Sequence, residues 1–298
     1  MSSPHFKQIG IIGTGRVARA LTLGLIYQSV APIMVCGRTL AKCRELVEEA
    51  DHARIVCSLA KIVAGCDVIA IAVSDDAIPE IVQAVSEVGS LCPGALVFHV
   101  SGSKGIAVLE PLLQMSAQTA AIHPAMTFTG EPKLELERMN GSRFAVAGSS
   151  PESVRLSQLI VDGLGGIFVE VPEVRRALYH AALCHSANHL VTLFAGASNA
   201  LRAAGVDDPA ALLAPLARAA LENSIAYGFN ALSGPVLRAD SKTIQGHLAA
   251  LETDCPELQA PYRAMALATI HELARSGDLV DRAELGKILD EGGEDRST

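Results

Sequence analysis

The sequence predicts an α/β fold built on a mostly parallel sheet, followed by an all-α C-terminal domain. Three observations lead there. Short apolar runs alternate with longer amphipathic stretches through the first half, those runs are near-continuous in Val, Ile and Ala, and after about residue 175 the strand pattern stops. Runs of that composition suit strands covered on both faces, the environment of a parallel sheet between two layers of helices. With 298 residues the chain is longer than one ordinary domain, typically about 100 to 150 residues. The expected division is residues 1–175 and 176–298.

The elements follow in order. "QIGIIG", "PIMVCG", "DVIAIAVS", "ALVFHVSG" and "TAAIHPAM" read as strands, with "SRFAVAGS" and "GIFVEV" after them. Segments 16–29 and 40–50 between the earlier ones read as helices. From residue 176 to 204 the chain runs without proline to Gly205, which predicts one long helix, and Pro209 suits the first turn of the next. Segments 241–253, 257–275 and 282–290 complete the helical half. The tail "EGGEDRST" has no large apolar residue and is expected to be disordered.

Composition narrows the classes of function. The net charge is -8 and no Lys/Arg cluster interrupts the acidic background, which excludes nucleic acid as a partner. Half of the residues are hydrophobic, yet no run reaches the ~20 apolar residues of a membrane span. "MSSPHFKQIG" lacks the basic cluster and apolar core of a secretory signal, so a cytoplasmic location is expected. Seven cysteines without a C-x-x-C pair argue for reduced thiols and against a disulfide framework or a metal cage.

The densest chemical signal is "IGIIGTGRVARAL", residues 9 to 21. A bare G-x-G is weak, but here it directly follows a strand and directly precedes a helix. Gly13 permits the tight turn, Gly15 lets the backbone approach a pyrophosphate, and Ala18 takes the third, small position of a Rossmann-type fingerprint. Residues Gly13, Thr14, Gly15, Arg16 and Val17 would then hold the pyrophosphate on the helix N-terminus. The alternative is a tight turn with no ligand. At the end of the second strand, where an NAD site usually carries an acid, "VCGRTL" presents Gly37, Arg38 and Thr39. A guanidinium there matches a 2′-phosphate, so NADP(H) is expected over NAD(H). A solvated loop arginine is the other reading.

Further strand ends carry polar groups. Val73, Ser74 and Asp75 end the next strand and would face the nicotinamide half of the cofactor, although Asp75 and Asp76 equally suit a helix cap. "FHVSGS" offers Ser101 and Gly102 to a small oxyanion through hydroxyl and backbone donors. "IHPAMTF" offers His123, a residue type that titrates near neutrality and suits a proton donor. On the long helix, His180, Cys184, Asn188 and Val191 share a face, and His185 and His189 share another. The latter pair has metal-ligand spacing but no recognisable third ligand, so no metal is expected. The turn-rich stretch "YGFNALSGPVLRADSKTI" reads either as a loop completing a site or as a plain connection.

Taken together, "IGIIGTGRVA", "HVSGS", "HPAMTF", "YHAALCHSAN" and "ALSGPVLRAD" resemble, across nearly the whole chain, a bacterial family of Rossmann-like proteins with an uncharacterised helical C-terminal domain. That family looks like a relative of the pyrroline-5-carboxylate reductases, the deazaflavin-dependent NADP oxidoreductases and the 3-hydroxyacid dehydrogenase and ketopantoate reductase group. In the last group a lysine four residues before an asparagine on the interdomain helix protonates the substrate oxygen. Asn188 matches that asparagine, whereas Cys184 stands in the lysine's place. A thiol lacks the charge and reach of an ammonium group, so the resemblance leaves the proton to His180 or His123.

The resulting expectation is an NADPH-dependent reductase that transfers hydride to a small carbonyl or imine compound, such as a 2-oxo acid of the ketopantoate type. Ser101, His123, His180 and Asn188 are its candidate catalytic residues. A non-catalytic dinucleotide-binding regulator is the alternative, and hydride exchange with a flavin-like cofactor a third reading. Small-residue apolar helices in the second half point to a homodimer.

Overall fold

The computed structural model describes residues 5–290. The tail expected to be disordered, 291–298, lies outside them. The first half runs β1 (Ile9–Ile12), α1 (Arg16–Leu25), β2 (Ile33–Cys36), α2 (Leu40–Glu49), β3 (Ala53–Ile55), α3 (Leu59–Gly65), β4 (Val68–Ile71) and α4 (Ile78–Val88). It continues with β5 (Leu96–His99), α5 (Glu110–Leu113), β6 (Gln118–Pro124), α6 (Pro132–Met139), β7 (Arg143–Gly148), α7 (Pro151–Gly163) and β8 (Ile167–Glu170). The strands form one sheet of order β3-β2-β1-β4-β5-β6-β7-β8. Every pairing is parallel except β6 with β7.

Alternation along the strands builds a core on each face of the sheet. In β4, Val68 and Ala70 pack with Leu21, Leu46, Phe98 and Phe144, while Ile69 and Ile71 point the other way toward Ile62, Val82, Val85 and Leu112. The continuous apolar runs are therefore the result of two buried faces. β3 was not foreseen. Its three residues, Ala53–Ile55, pair with β2 at the sheet edge and none of the three is buried, so β3 lacks the apolar run that identifies an inner strand. The helix expected over 16–29 is α1 followed by a tight turn at Ile26–Gln28.

The chain separates into two compact units, Met1–Ala187 and Asn188–Thr298. The expected boundary at 175/176 coincides with the start of α8 (Arg176–Ala203), which begins in the first unit and continues in the second. α8 stops before Gly205, whose φ of +86° continues the chain where other residues would be strained. The second unit adds α9 (Pro209–Tyr227), α10 (Ser241–Asp254), α11 (Gln259–Arg275) and α12 (Ala283–Asp290). Asp208 caps α9 through the Ala211 amide, and Asp240 caps α10 through the Thr243 amide.

The turn-rich stretch before α10 is a braced connection. Arg282, buried, donates from Nε to the Val236 carbonyl at 2.9 Å and from Nη2 to the Leu237 carbonyl at 2.6 Å. The buried core of this unit consists of Ile244, Leu248, Ala266, Leu285 and Leu289, all from α10, α11 and α12. α8 and α9 instead leave Val191, Leu216 and Ile225 70%, 64% and 77% exposed.

The sheet order reverses between β1 and β4, and Gly13 sits at that point. Its φ is +132°, and a β-carbon there would lie 2.1 Å from the Ala72 carbonyl oxygen. Both faults belong to any other residue, so Gly13→Ala should destabilise the protein by about 2–4 kcal/mol. Urea denaturation checks this, and an unchanged midpoint would show that the turn tolerates a side chain.

Candidate active site

Ligands of open parallel sheets lie beyond the carboxyl ends of the strands, next to the point where strand order reverses. At the end of β1 the Gly13 amide donates to the Cys36 carbonyl and the Ala72 amide to the Ile12 carbonyl, both at 2.8 Å. These bonds pin the turn against β2 and β4. Gly15 is the N-cap of α1, no side chain caps the helix, and its first turn holds no acid. A β-carbon at Gly15 would meet nothing within 4 Å. The first amides of the helix thus face an open cradle, a geometry that accepts a diphosphate. Ala18 is fully buried, as the close helix-strand packing of the fingerprint requires.

The flanking residues are more committed than the sequence implied. Arg16 donates from Nη1 to the Phe128 carbonyl at 3.1 Å, so it ties the loop after β6 to the glycine turn. That loop is held in turn by the buried Glu135, which accepts from the Thr129 and Gly130 amides at 2.5 and 2.7 Å. Thr14 packs on Gly37, where a β-carbon would come within 2.6 Å of Thr14 Cγ2. Arg38 and Thr39 are exposed beside it at the end of β2. Val17 and Val73 are half-buried, and Ser74 is exposed.

Asp75 caps no helix. Its Oδ2 accepts from the Ser103 hydroxyl at 2.6 Å. Burial alone would raise its pKa, but the hydroxyls of Ser103 and Ser101, aided by His180 and His99, hold the carboxyl below its ordinary value. Ser101 also differs from expectation. Its amide donates to His99 Nδ1 at 3.2 Å, and its Oγ accepts from the Ser103 and Lys104 amides at 3.2 and 3.0 Å. Its amide and the acceptor side of its hydroxyl thus brace their own loop, while the hydroxyl also assists Asp75. Because His99 Nδ1 is an acceptor, its Nε2–H donates to the Gly105 carbonyl at 3.0 Å.

His123, at the end of β6, meets the first turns of α8. Its Nδ1 lies 2.9 Å from Tyr179 Oη, and its ring stands edge-on to those of Tyr179 and His180. Gly102 lies between the histidines: a β-carbon there would be 2.5 Å from His180 Cδ2 and 2.7 Å from His123 Nε2. One turn before His180, Arg176 is 2% exposed and donates from Nη2 to the Ser101 carbonyl at 3.2 Å. Its Nε and Nη1 are buried without a partner. Burial, with the Arg176 charge next, pushes His123 down to about 4. His99 is likewise pushed down to about 4 by burial, with Arg176 again opposing its charge. The expectation that His123 titrates near neutrality is corrected: the same pocket that places it keeps it uncharged.

Asp75, Ser101, His123 and His180 are therefore gathered at the ends of β4, β5 and β6 and the start of α8. Asn188 lies two turns beyond His180 on α8, exposed, as the first residue of the second unit. Cys184 Sγ lies 3.8 Å from His180 Nε2. Sequence reasoning missed His99, Arg176 and Tyr179. Arg176 and Tyr179 are three residues apart, so helical spacing alone puts them on one face; nothing in the sequence shows that this face turns toward β5 and β6. Among the described residues no group of three His, Cys, Asp or Glu side chains is placed to hold a metal ion, and no helix is long and apolar enough to cross a membrane.

Residues 2–124 match a family model described as a Rossmann-like domain, and residues 142–269 match a domain of unknown function, DUF2520. The two matches lie in series along the chain. No curated protein matches it. Among solved structures, a Bacteroides fragilis protein provisionally described as an NADP oxidoreductase is 22% identical with a TM-score of 0.74, over 89% of this chain and 98% of that one. Protein TM1727 from Thermotoga maritima is 20% identical with a TM-score of 0.65, over 90% and 99%. The imine reductase from Myxococcus stipitatus, in complex with NADP+, is 18% identical with a TM-score of 0.64, over 95% and 99%. At these identities the likeness is one of fold.

The two depressed histidines have a consequence for stability. Unfolded histidines bind protons below about pH 6.5, whereas His99 and His123 in the folded chain do so only near about 4. The stability they support is complete above the unfolded value and is lost as pH falls from there through the folded value. An NMR titration should show both rings neutral at pH 6 with midpoints near 4; midpoints at the ordinary histidine value would refute the assignment.

Proposed function

We propose that the protein is an NADPH-dependent reductase that delivers hydride to a small carbonyl or imine compound. The observation that carries this reading is the uncapped start of α1, open at Gly15 and set at the reversal of strand order, with the Arg38 guanidinium exposed beside it. In this reading Gly13, Thr14, Gly15 and the first amides of α1 hold the diphosphate. Arg38 and Thr39 meet the 2′-phosphate, and Val73, Ser74 and Asp75 border the nicotinamide half. The bound cofactor would supply the hydride; the protein orients it and provides the proton.

The likeness of fold to an imine reductase that carries NADP+ supports the cofactor and a C=N or C=O acceptor. The polar cluster of Asp75, His123 and His180 at neighbouring strand ends supports a small polar substrate. All seven cysteines are free thiols, which suits a reducing cytoplasm.

The same reading includes a homodimer. Val191, Leu216 and Ile225, mostly exposed on two neighbouring helices in sequence, offer apolar side chains that a second copy would cover. Sedimentation equilibrium should give twice the chain mass, and Leu216→Glu with Ile225→Glu should shift it toward one; a monomeric wild type refutes the dimer.

Fluorescence titration tests the cofactor. NADPH should bind saturably and more tightly than NADH, and Arg38→Ala should reduce that preference by roughly 10- to 100-fold, the loss of a charge-assisted contact. Absence of saturable binding by either nucleotide would overturn the reductase.

A further inference from the structure

A reductase needs a proton as well as a hydride, and most polar groups in the cluster are unsuited to give one. His123 and His99 are neutral, the Ser101 amide serves its loop, and the Ser101 hydroxyl, which assists Asp75, is a much weaker acid than a phenol. One acidic O–H remains, on a side chain that no motif singled out. Resting on the NADPH-reductase reading, we propose that Tyr179 is the proton donor, with His123 Nδ1–H and the buried Arg176 guanidinium positioned to stabilise the phenolate it leaves.

Three observations support this. Tyr179 Oη lies 2.9 Å from His123 Nδ1, and the perpendicular rings, 5.7 Å apart, fix the contact. Arg176, one turn earlier on α8, is 2% exposed and has two buried donor nitrogens without a partner. A buried cation whose donors find no acceptor is costly, and Glu173 offsets its charge only through its field. Its field disfavours a second positive charge on His123 and favours a negative one on Tyr179. Burial nevertheless keeps the phenol protonated at neutral pH, as a donor must be. The titratable and charged groups around it are Arg176 and His180 from α8, Glu173 just before that helix, His123 from β6, and Asp75, His99 and Lys104 from the neighbouring strand ends and loop.

The step balances. As hydride from the reduced nicotinamide forms the new C–H bond, the substrate oxygen or nitrogen takes the Tyr179 proton. The Oη–H bond breaks with its electron pair left on Oη, and a new O–H or N–H bond forms on the product. The phenolate accepts from His123 Nδ1–H until water returns the proton. His123 does not change charge. This requires a specific tautomer, because only if Nδ1 carries the hydrogen is the Tyr179 O–H free to turn toward the substrate.

That tautomer is measurable without substrate. Long-range 1H–15N correlation spectra of the wild-type protein labelled at histidine, with His123→Gln for assignment, should show His123 protonated at Nδ1. Protonation at Nε2 would mean that Tyr179 donates into the histidine, and would overturn the proposal while leaving the reductase standing. Tyr179→Phe should bind NADPH as the wild type does and lower single-turnover reduction of a small oxo acid or cyclic imine by about 10²- to 10⁴-fold, the usual worth of a general acid. An unchanged rate also overturns the role of Tyr179, whereas failure of wild type to bind NADPH defeats the reductase reading instead.

Discussion

A side chain at position 13 would have to share space with the Ala72 carbonyl, and much of the molecule is arranged around that prohibition. The contact exists because β1 and β4 are neighbours although β2 and β3 intervene in sequence, so the chain crosses from one half of the sheet to the other there. With no β-carbon at Gly13, the turn drops against β4 and α1 starts with its amides over the sheet edge. Gly37 plays the same part against Thr14 from the other side. An open row of uncapped amides results from backbone alone.

A second constraint governs the neighbouring strand ends. Arg176 is buried with two of its donors unpartnered and only the field of Glu173 to offset its charge, and the groups around it adjust to that field. The two buried histidines stay neutral, and the ionised Asp75 is stabilised by serine hydroxyls. The cluster is polar but carries few mobile protons. A pocket of this kind discriminates between proton donors by charge: groups that must become positive are disfavoured, and a group that becomes negative on giving its proton is favoured.

How much of this was legible in the sequence depended on whether the signal was local. The glycine turn was legible because three residues and their neighbours define it, and the inner strands because two-sided burial leaves an uninterrupted apolar run. β3 was not, since three edge residues with an exposed Arg54 carry no such run. The roles of Ser101 and His123 were only half legible. Their places at strand ends followed from pattern, but whether a hydroxyl faces a ligand or its own loop depends on amides two and three residues away, and whether a histidine titrates depends on burial. Tyr179 was hidden because its partner is 56 residues away in sequence.

The arrangement of α8 also bears on the choice between an enzyme and a passive dinucleotide binder. A binder needs the glycine cradle and nothing at the ends of β5 and β6. This chain instead holds there a glycine squeezed between two histidines, a tyrosine in hydrogen-bond contact with one of them, and a buried guanidinium with unused donors. The unused guanidinium donors and the neutral histidine are unfavourable for stability. A buried donor without an acceptor costs roughly 1–3 kcal/mol, and a histidine kept neutral lowers stability in acid. In the reading proposed above, groups that oppose folding and converge beside the open start of α1 are what a reaction involving proton transfer would require, and binding alone gives no reason for them.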